Sequence, residues 1–182
     1  ERTLYDELTY ARPGWGFLME EGGDIEGDPG KPRFIVDPLD GTTNFLHGIP
    51  QFAISIAVQE PKIGGGWGDI TAALIYQPIT DESYWAERGR GAWLHDRRLR
   101  VSSRRHLHEC LVATGIPFAG HGDMAQWGRI FGAVAPEVAG LRRFGAASLD
   151  LAWVASGRFD GFWEGDLKIW DVAAGMLLVR EA

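Results

Sequence analysis

Cysteine is nearly missing: Cys110 stands alone among 182 residues. That excludes a disulfide framework and a Cys-rich zinc site, and sets the expectation of a reducing compartment, the cytoplasm. Basic charge is also in deficit, with 18 Lys and Arg against 25 Asp and Glu and a net charge of −7. With a pI near 5.2, this balance argues against a nucleic-acid partner, which usually demands a basic face. No apolar run approaches the roughly 18 residues of a membrane span. The longest, at 52–58 and 172–179, have only the length of a strand or a helix. No repeat is visible, and no low-complexity segment beyond Gly64, Gly65 and Gly66, which are expected in a hairpin loop. The chain opens on Glu1 without an initiator Met or a signal-like region, and Ala182 falls inside a helical pattern with no Gly or Pro stop. It is therefore expected to be the middle of a longer protein.

What is present reads as a packed globular domain. Eight Trp and nine Phe accompany a modest 24% of charged residues, which excludes a disordered chain. Glycine, at 25 residues, serves as punctuation between apolar segments. Apolar runs at 33–36, 52–58, 70–76 and 111–114 read as strands, and 82–87 with 91–94 as a hairpin. From 115 onward the pattern turns helical, over 123–138, 147–156 and from Trp170-Asp171 to the end, with a short strand at 160–164. The best boundary lies at 115–122. It divides an N-terminal α+β part (1–115) from a C-terminal α/β part (116–182) within one catalytic unit.

The segment Asp37-Pro38-Leu39-Asp40-Gly41-Thr42-Thr43-Asn44 carries the most chemistry. A buried strand delivers two carboxylates three positions apart, with Pro38 stiffening the backbone between them. Gly41 and the two threonines follow, able to turn backbone N–H groups toward an anion. Neighbouring carboxylates repel unless a cation lies between them, and Mg²⁺ suits such hard oxygen donors. Taken alone, the same residues also read as an Asp-Pro turn followed by an Asp-Gly turn. Glu20-Glu21 before glycines, Asp171 at a helix start and Glu164 at a strand end each have an ordinary structural reading of their own.

Together these segments resemble the inositol monophosphatase family, in its bacterial branch, of the magnesium-dependent, lithium-sensitive phosphatases. Residues 37–45 match the D-P-(I/L)-D-G-T-(T/S)-N-F signature throughout, and 170–175 match W-D-x-A-(A/G)-G. Residues 144–150 also look like the bacterial branch. The resemblance implies a layered α/β (α+β) sandwich, truncated at both ends, and hydrolysis of a phosphate monoester with two or three Mg²⁺ ions. It implies metal binding by Glu20, Asp37, Asp40, Asp171 and the Leu39 carbonyl. Catalysis would rest on Thr42, which orients the water, and Glu20. The Gly41 and Thr42 N–H groups would hold phosphate, while Asp40, Gly145, Ala147, Glu164 and Asp171 would meet the substrate. The first acidic motif departs from the family's G-E-E-(S/T), reading Met19-Glu20-Glu21-Gly22. The acidic partner expected for Thr42 has no counterpart before Glu20, since Asp6 sits in unrelated surroundings. A weak catalyst with apolar strand faces such as 52–58 partly open is therefore expected.

The implied partner is a small phosphorylated polyol, with neither membrane nor nucleic acid, and a homodimer for the full-length protein. Sister activities on histidinol phosphate, a fructose bisphosphate or a nucleotide phosphate would share the metal residues. A regulatory module for transcription or ribosome components would draw on the arginines between 97 and 105, otherwise a solvated hairpin. An inert acidic α/β domain is the remaining reading. His47, His95, His106, His108 and His121 read as surface residues rather than a zinc site, and Cys110 as core packing.

Overall fold

A computed structural model describes residues 1–118, 120 and 122–182; of the histidines above, His121 lies outside the described residues. In chain order the elements are α1 (Arg2–Ala11), β1 (Gly16–Met19), β2 (Gly23–Ile25), β3 (Arg33–Asp40), α2 (Thr42–Leu46), β4 (Ala53–Pro61) and β5 (Trp67–Gln77). There follow β6 (Glu82–Glu87), β7 (Gly91–Leu94), β8 (Arg97–Arg98), β9 (Leu111–Thr114), α3 (Met124–Val134), β10 (Gly140–Arg142), α4 (Ala147–Ala155), β11 (Gly161–Trp163) and α5 (Ile169–Glu181). An eight-stranded sheet runs in the order β2-β1-β3-β4-β5-β6-β7-β8, antiparallel except where β1 meets β3. A second sheet, β10-β9-β11, is wholly parallel.

Strand alternation decides which face of the large sheet is buried. Ala53, Ser55 and Ala57 of β4, Ala73 and Ile75 of β5, and Tyr84 and Ala86 of β6 are all buried. Most of them pack on one side against α4 and α5, through Leu149, Ala152, Ala173, Ala174, Leu177 and Leu178. Beyond α4, Val154 meets Ala113 of the small sheet, with Phe144, Trp153 and Phe162 around them. The layers are thus sheet, helix pair and sheet, as the resemblance implies. On the other side of the large sheet, α1 sets Leu4, Tyr5 and Leu8 against Phe17, Phe34 and Val36. Ile56 and Val58 join this cluster, so the face expected to be open is partly covered by a helix that the sequence pattern did not announce. α1 has no side-chain cap at Glu1 and no buried residue, which leaves few local start or stop signals to read.

Several boundaries differ from expectation in the same way. The helix expected over 123–138 ends at Val134, where Ala135 caps it, and the stretch after it yields β10. The hairpin loop expected around Gly64–66 is present, with all three glycines at positive φ.

The contact between α4 and α5 depends on an absent side chain. A Cβ on Gly175 would lie 2.4 Å from the Cβ of Leu151 and 2.6 Å from its Cδ1. Gly175→Ala should therefore destabilise the fold by about 1–3 kcal/mol, the usual cost of overpacking, although alanine is the better helix former. Urea denaturation of the two proteins measures this. An unchanged or raised midpoint would mean that the helices separate freely.

Candidate active site

The site begins with a flaw in a strand. Asp37 pairs with Ser55 and Asp40 with Ala53, so three steps along β3 match two along β4. Residues three apart ordinarily point to opposite faces. The bulge returns both carboxylates to the face occupied by Ser55 and Ala53. Pro38, which has no N–H to give to the ladder, occupies the irregularity. Gly41 then turns the chain at φ 91°, where a Cβ would also come within 2.8 Å of Gln51 O. The short α2 follows. Its Asn44 donates to Gln51 O at 2.8 Å and to Phe144 O at 2.7 Å, tying the motif to the loop before α4. Thr42 is exposed and donates from Oγ1 to Leu39 O at 3.0 Å.

Each carboxylate is anchored through one oxygen. Asp37 Oδ1 accepts the Leu39 N–H at 2.9 Å. Asp40 Oδ2 accepts the Ser148 N–H at 2.7 Å and the Ser148 hydroxyl. Asp171 Oδ2 accepts the Lys168 N–H at 2.6 Å, closing a capping box at the start of α5. The Trp170 carbonyl beside it receives the Ser55 hydroxyl at 3.3 Å. Glu20, exposed just after β1, lies near enough to Asp37 for each charge to act on the other.

Burial and mutual repulsion raise the proton affinity of the whole group. Asp37 is pushed up to about 8, first by burial and then by Asp40. Asp40 rises to about 6 by burial, held back by the Ser148 bonds, and Glu164 rises to about 7 by burial. Glu20 and Asp171 also lie above the ordinary carboxylate range, again chiefly through burial. Among the described residues none of the five lies in a salt bridge with Lys or Arg, although Arg143 near Glu164 and Lys168 near Asp171 draw their proton affinity down somewhat. Among the described residues, no three His, Cys, Asp or Glu side chains are closed up tightly enough to hold an ion as they stand. The donor set nevertheless fits a hard cation, because it is all oxygen and carries an excess of carboxylates.

A cleft of about 310 Å³ opens beside these groups, lined by Glu20, Glu164, Asp171, Trp170 and the loop from Gly115 to Phe118. It brings three of the expected site residues together, while Asp37, Asp40, Gly41, Thr42, Gly145 and Ala147 stand outside its lining. Glu164 is folded over Gly115, whose missing side chain would occupy the place of that carboxyl. The Ala147 N–H also turns toward Asp40, and Ala146 offers α4 no side-chain cap. Three residues were not anticipated. Ser148 holds Asp40, and Glu1 Oε1 accepts the Gly22 N–H at 2.8 Å beside Glu20. Asp150 is buried with Oδ1 unpartnered. Ser148 and Asp150 lie in the 144–150 stretch that resembles the bacterial branch, but no role followed from that likeness, and Glu1 belongs to no motif. His47, His95, His106 and His108 are exposed, as expected of surface residues, and the rings of His106 and His108 stack at 5.5 Å.

The chain belongs to the inositol monophosphatase family, whose model matches residues 1–182. It is 56% identical over 182 residues to an inositol-1-monophosphatase of Rhizobium meliloti (strain 1021), covering all of this chain and 66% of that protein. It is 46% identical over 186 residues to the Nus factor SuhB of Pseudomonas aeruginosa, with the same coverage. The crystal structure of the extragenic suppressor protein suhB from Bartonella henselae superimposes with a TM-score of 0.92 at 55% identity, over all of this chain and 68% of that one. The chain thus spans about two thirds of the length of these relatives. No helix of the described residues is long and apolar enough to cross a membrane.

The raised carboxylates set a pH dependence with a definite sign. Asp37 binds its proton more tightly folded (about 8) than at its ordinary value of 3.8, so the folded state holds more protons between those limits. Stability should therefore fall as pH rises from about 4 to 8. Melting curves in EDTA across that range should show the decline, and a flat profile would mean that the carboxylates ionise freely.

Proposed function

We propose that the protein is a Mg²⁺-dependent phosphate monoester hydrolase acting on inositol monophosphate in the cytoplasm. The observation that carries this reading is the group Glu20, Asp37, Asp40 and Asp171: four carboxylates that feel one another's charge, are raised in proton affinity and lie in no salt bridge among the described residues. Two or three Mg²⁺ ions would be held by these carboxylates and the Leu39 carbonyl, supplying when bound a Lewis acid for the attacking water and the departing oxygen. The Thr42 hydroxyl gives its proton to Leu39 O, so its lone pairs stay open to accept from that water and orient it. The N–H groups of Gly41 and Thr42 open a helical turn and lack partners within it, which suits them to phosphate oxygens. Glu164, folded over Gly115, would take a hydroxyl of the polyol, and Gly145 would meet another. Lithium inhibition and a homodimeric full-length protein belong to the same reading.

Asp40→Asn keeps shape and hydrogen bonding but removes a ligand charge. Mg²⁺-dependent phosphate release should fall by orders of magnitude while the fold persists, and retained activity would remove Asp40 from the metal site. In the unaltered chain, Mg²⁺ at 100 times its Kd should add about 2.7 kcal/mol of stability by linkage, read as a raised melting temperature. Glu164→Gln should weaken turnover of inositol phosphate more than that of a small aryl phosphate. Equal losses would give Glu164 a different task.

One observation supports a second reading. Arg97, Arg98, Arg100 and Arg105 are exposed and make no ion pair among the described residues, and some relatives are named Nus factors. A module for transcription or ribosome components would use this strip. Retention of such a partner that weakens with salt and is indifferent to Asp40→Asn separates it from the hydrolase.

A further inference from the structure

Helix α4 begins without a cap of its own, since its N-cap is Ala146. The vacancy is filled across 108 residues of sequence by Asp40, whose Oδ2 accepts both the backbone N–H and the hydroxyl of Ser148. Ser148 is fully buried. A helical serine often returns its hydroxyl to the carbonyl four residues back. Here that carbonyl, Phe144 O, receives the Asn44 amide at 2.7 Å, and the Ser148 hydroxyl goes to Asp40. Both Ser148 donors converge on one carboxylate oxygen and leave Oδ1 to other partners.

We infer that Ser148 is a positioning residue for the metal site: its paired donors fix the Asp40 carboxylate so that the second oxygen faces a divalent cation. The inference rests on the hydrolase reading, and adds to it a residue that never touches metal or substrate. A backbone N–H alone leaves the carboxylate free to turn about its terminal torsion. The hydroxyl, a second donor from a fully packed position, removes that freedom before the ion arrives. Charge-assisted bonds of this kind are stronger than neutral ones, and losing such an outer partner typically weakens metal binding about 10–100-fold.

The test titrates the metal-free chain with Mn²⁺, following free ion by electron paramagnetic resonance, in wild type, Ser148→Ala and Ser148→Cys. Melting in EDTA is recorded in parallel. Wild type should bind, Ser148→Ala should bind at least about tenfold more weakly, and Ser148→Cys, with a weak donor of similar volume, should fall between. The midpoints in EDTA give the separate structural cost of the lost hydrogen bond; the further rise that Mn²⁺ produces over each protein's own EDTA midpoint should be smaller in Ser148→Ala than in wild type, which a purely structural hydroxyl would not produce. Affinity in Ser148→Ala equal to wild type would overturn the positioning role while leaving the metal site standing. If Ser148→Ala does not fold, Ser148→Cys decides by the same comparison. A wild-type chain that takes up no Mn²⁺ would overturn the metal reading and this role with it.

Discussion

The carboxylate of Asp40 in the first turn of α4 is the contact that joins the two halves of the molecule's chemistry. β3 ends there, and α4 begins there. A negative group at a helix N-terminus meets unsatisfied N–H donors and the positive end of the helix dipole, so the contact is favourable apart from any ligand. α4 packs on α5, which brings Asp171, and α5 in turn receives Ser55 from the strand beside Asp37. Moving Asp40 would therefore disturb the helix pair and the sheet together. One side chain closes the circuit.

That arrangement has a thermodynamic cost. Buried carboxylates on one face raise one another's proton affinity, as Asp40, Glu20 and Asp171 each do for Asp37. Elsewhere the fold pairs its charges in the ordinary way. Arg33 lies 3.5 Å from Asp24, and Glu82 is bonded by Arg158 and by the Tyr84 hydroxyl. In the cluster itself only Arg143 beside Glu164 and Lys168 beside Asp171 bring basic charge, and neither offsets the effect of burial. Natural folds tolerate such local conflict chiefly at functional sites.

Legibility followed the range of the forces involved. The hairpin 82–94 was readable because alternating aromatic and small residues state both its strands and its buried face. The nine-residue signature from Asp37 was readable because its chemistry is contiguous. The bulge that makes it work was not, since register depends on β4 as much as on β3. α1, β1, β2 and β10 were missed for a related reason. They are short or uncapped, and α1 owes its place to Phe17, Phe34 and Val36 rather than to its own propensities. Ser148 falls in the 144–150 stretch that resembles the bacterial branch, yet its role was not legible there, because its partner is more than a hundred residues away.

The glycines make the same distinction within one residue type. Reading them as punctuation holds for Gly64, Gly65 and Gly66, whose surroundings are open and whose φ values are positive. Gly115 and Gly175 are different. Neither has a positive φ, and at each a Cβ would collide, with the Glu164 carboxyl in one case and Leu151 in the other. Gly41 meets both conditions, turning the chain at positive φ and admitting the Gln51 carbonyl closely. The volumes left by these three missing side chains set how near α5 comes to α4, where Glu164 rests, and how β3 delivers Asp40 to Ser148. A composition rich in glycine therefore reports loops only on average. At this site it reports the distances between carboxylates, and those distances decide whether the group repels itself or binds a cation.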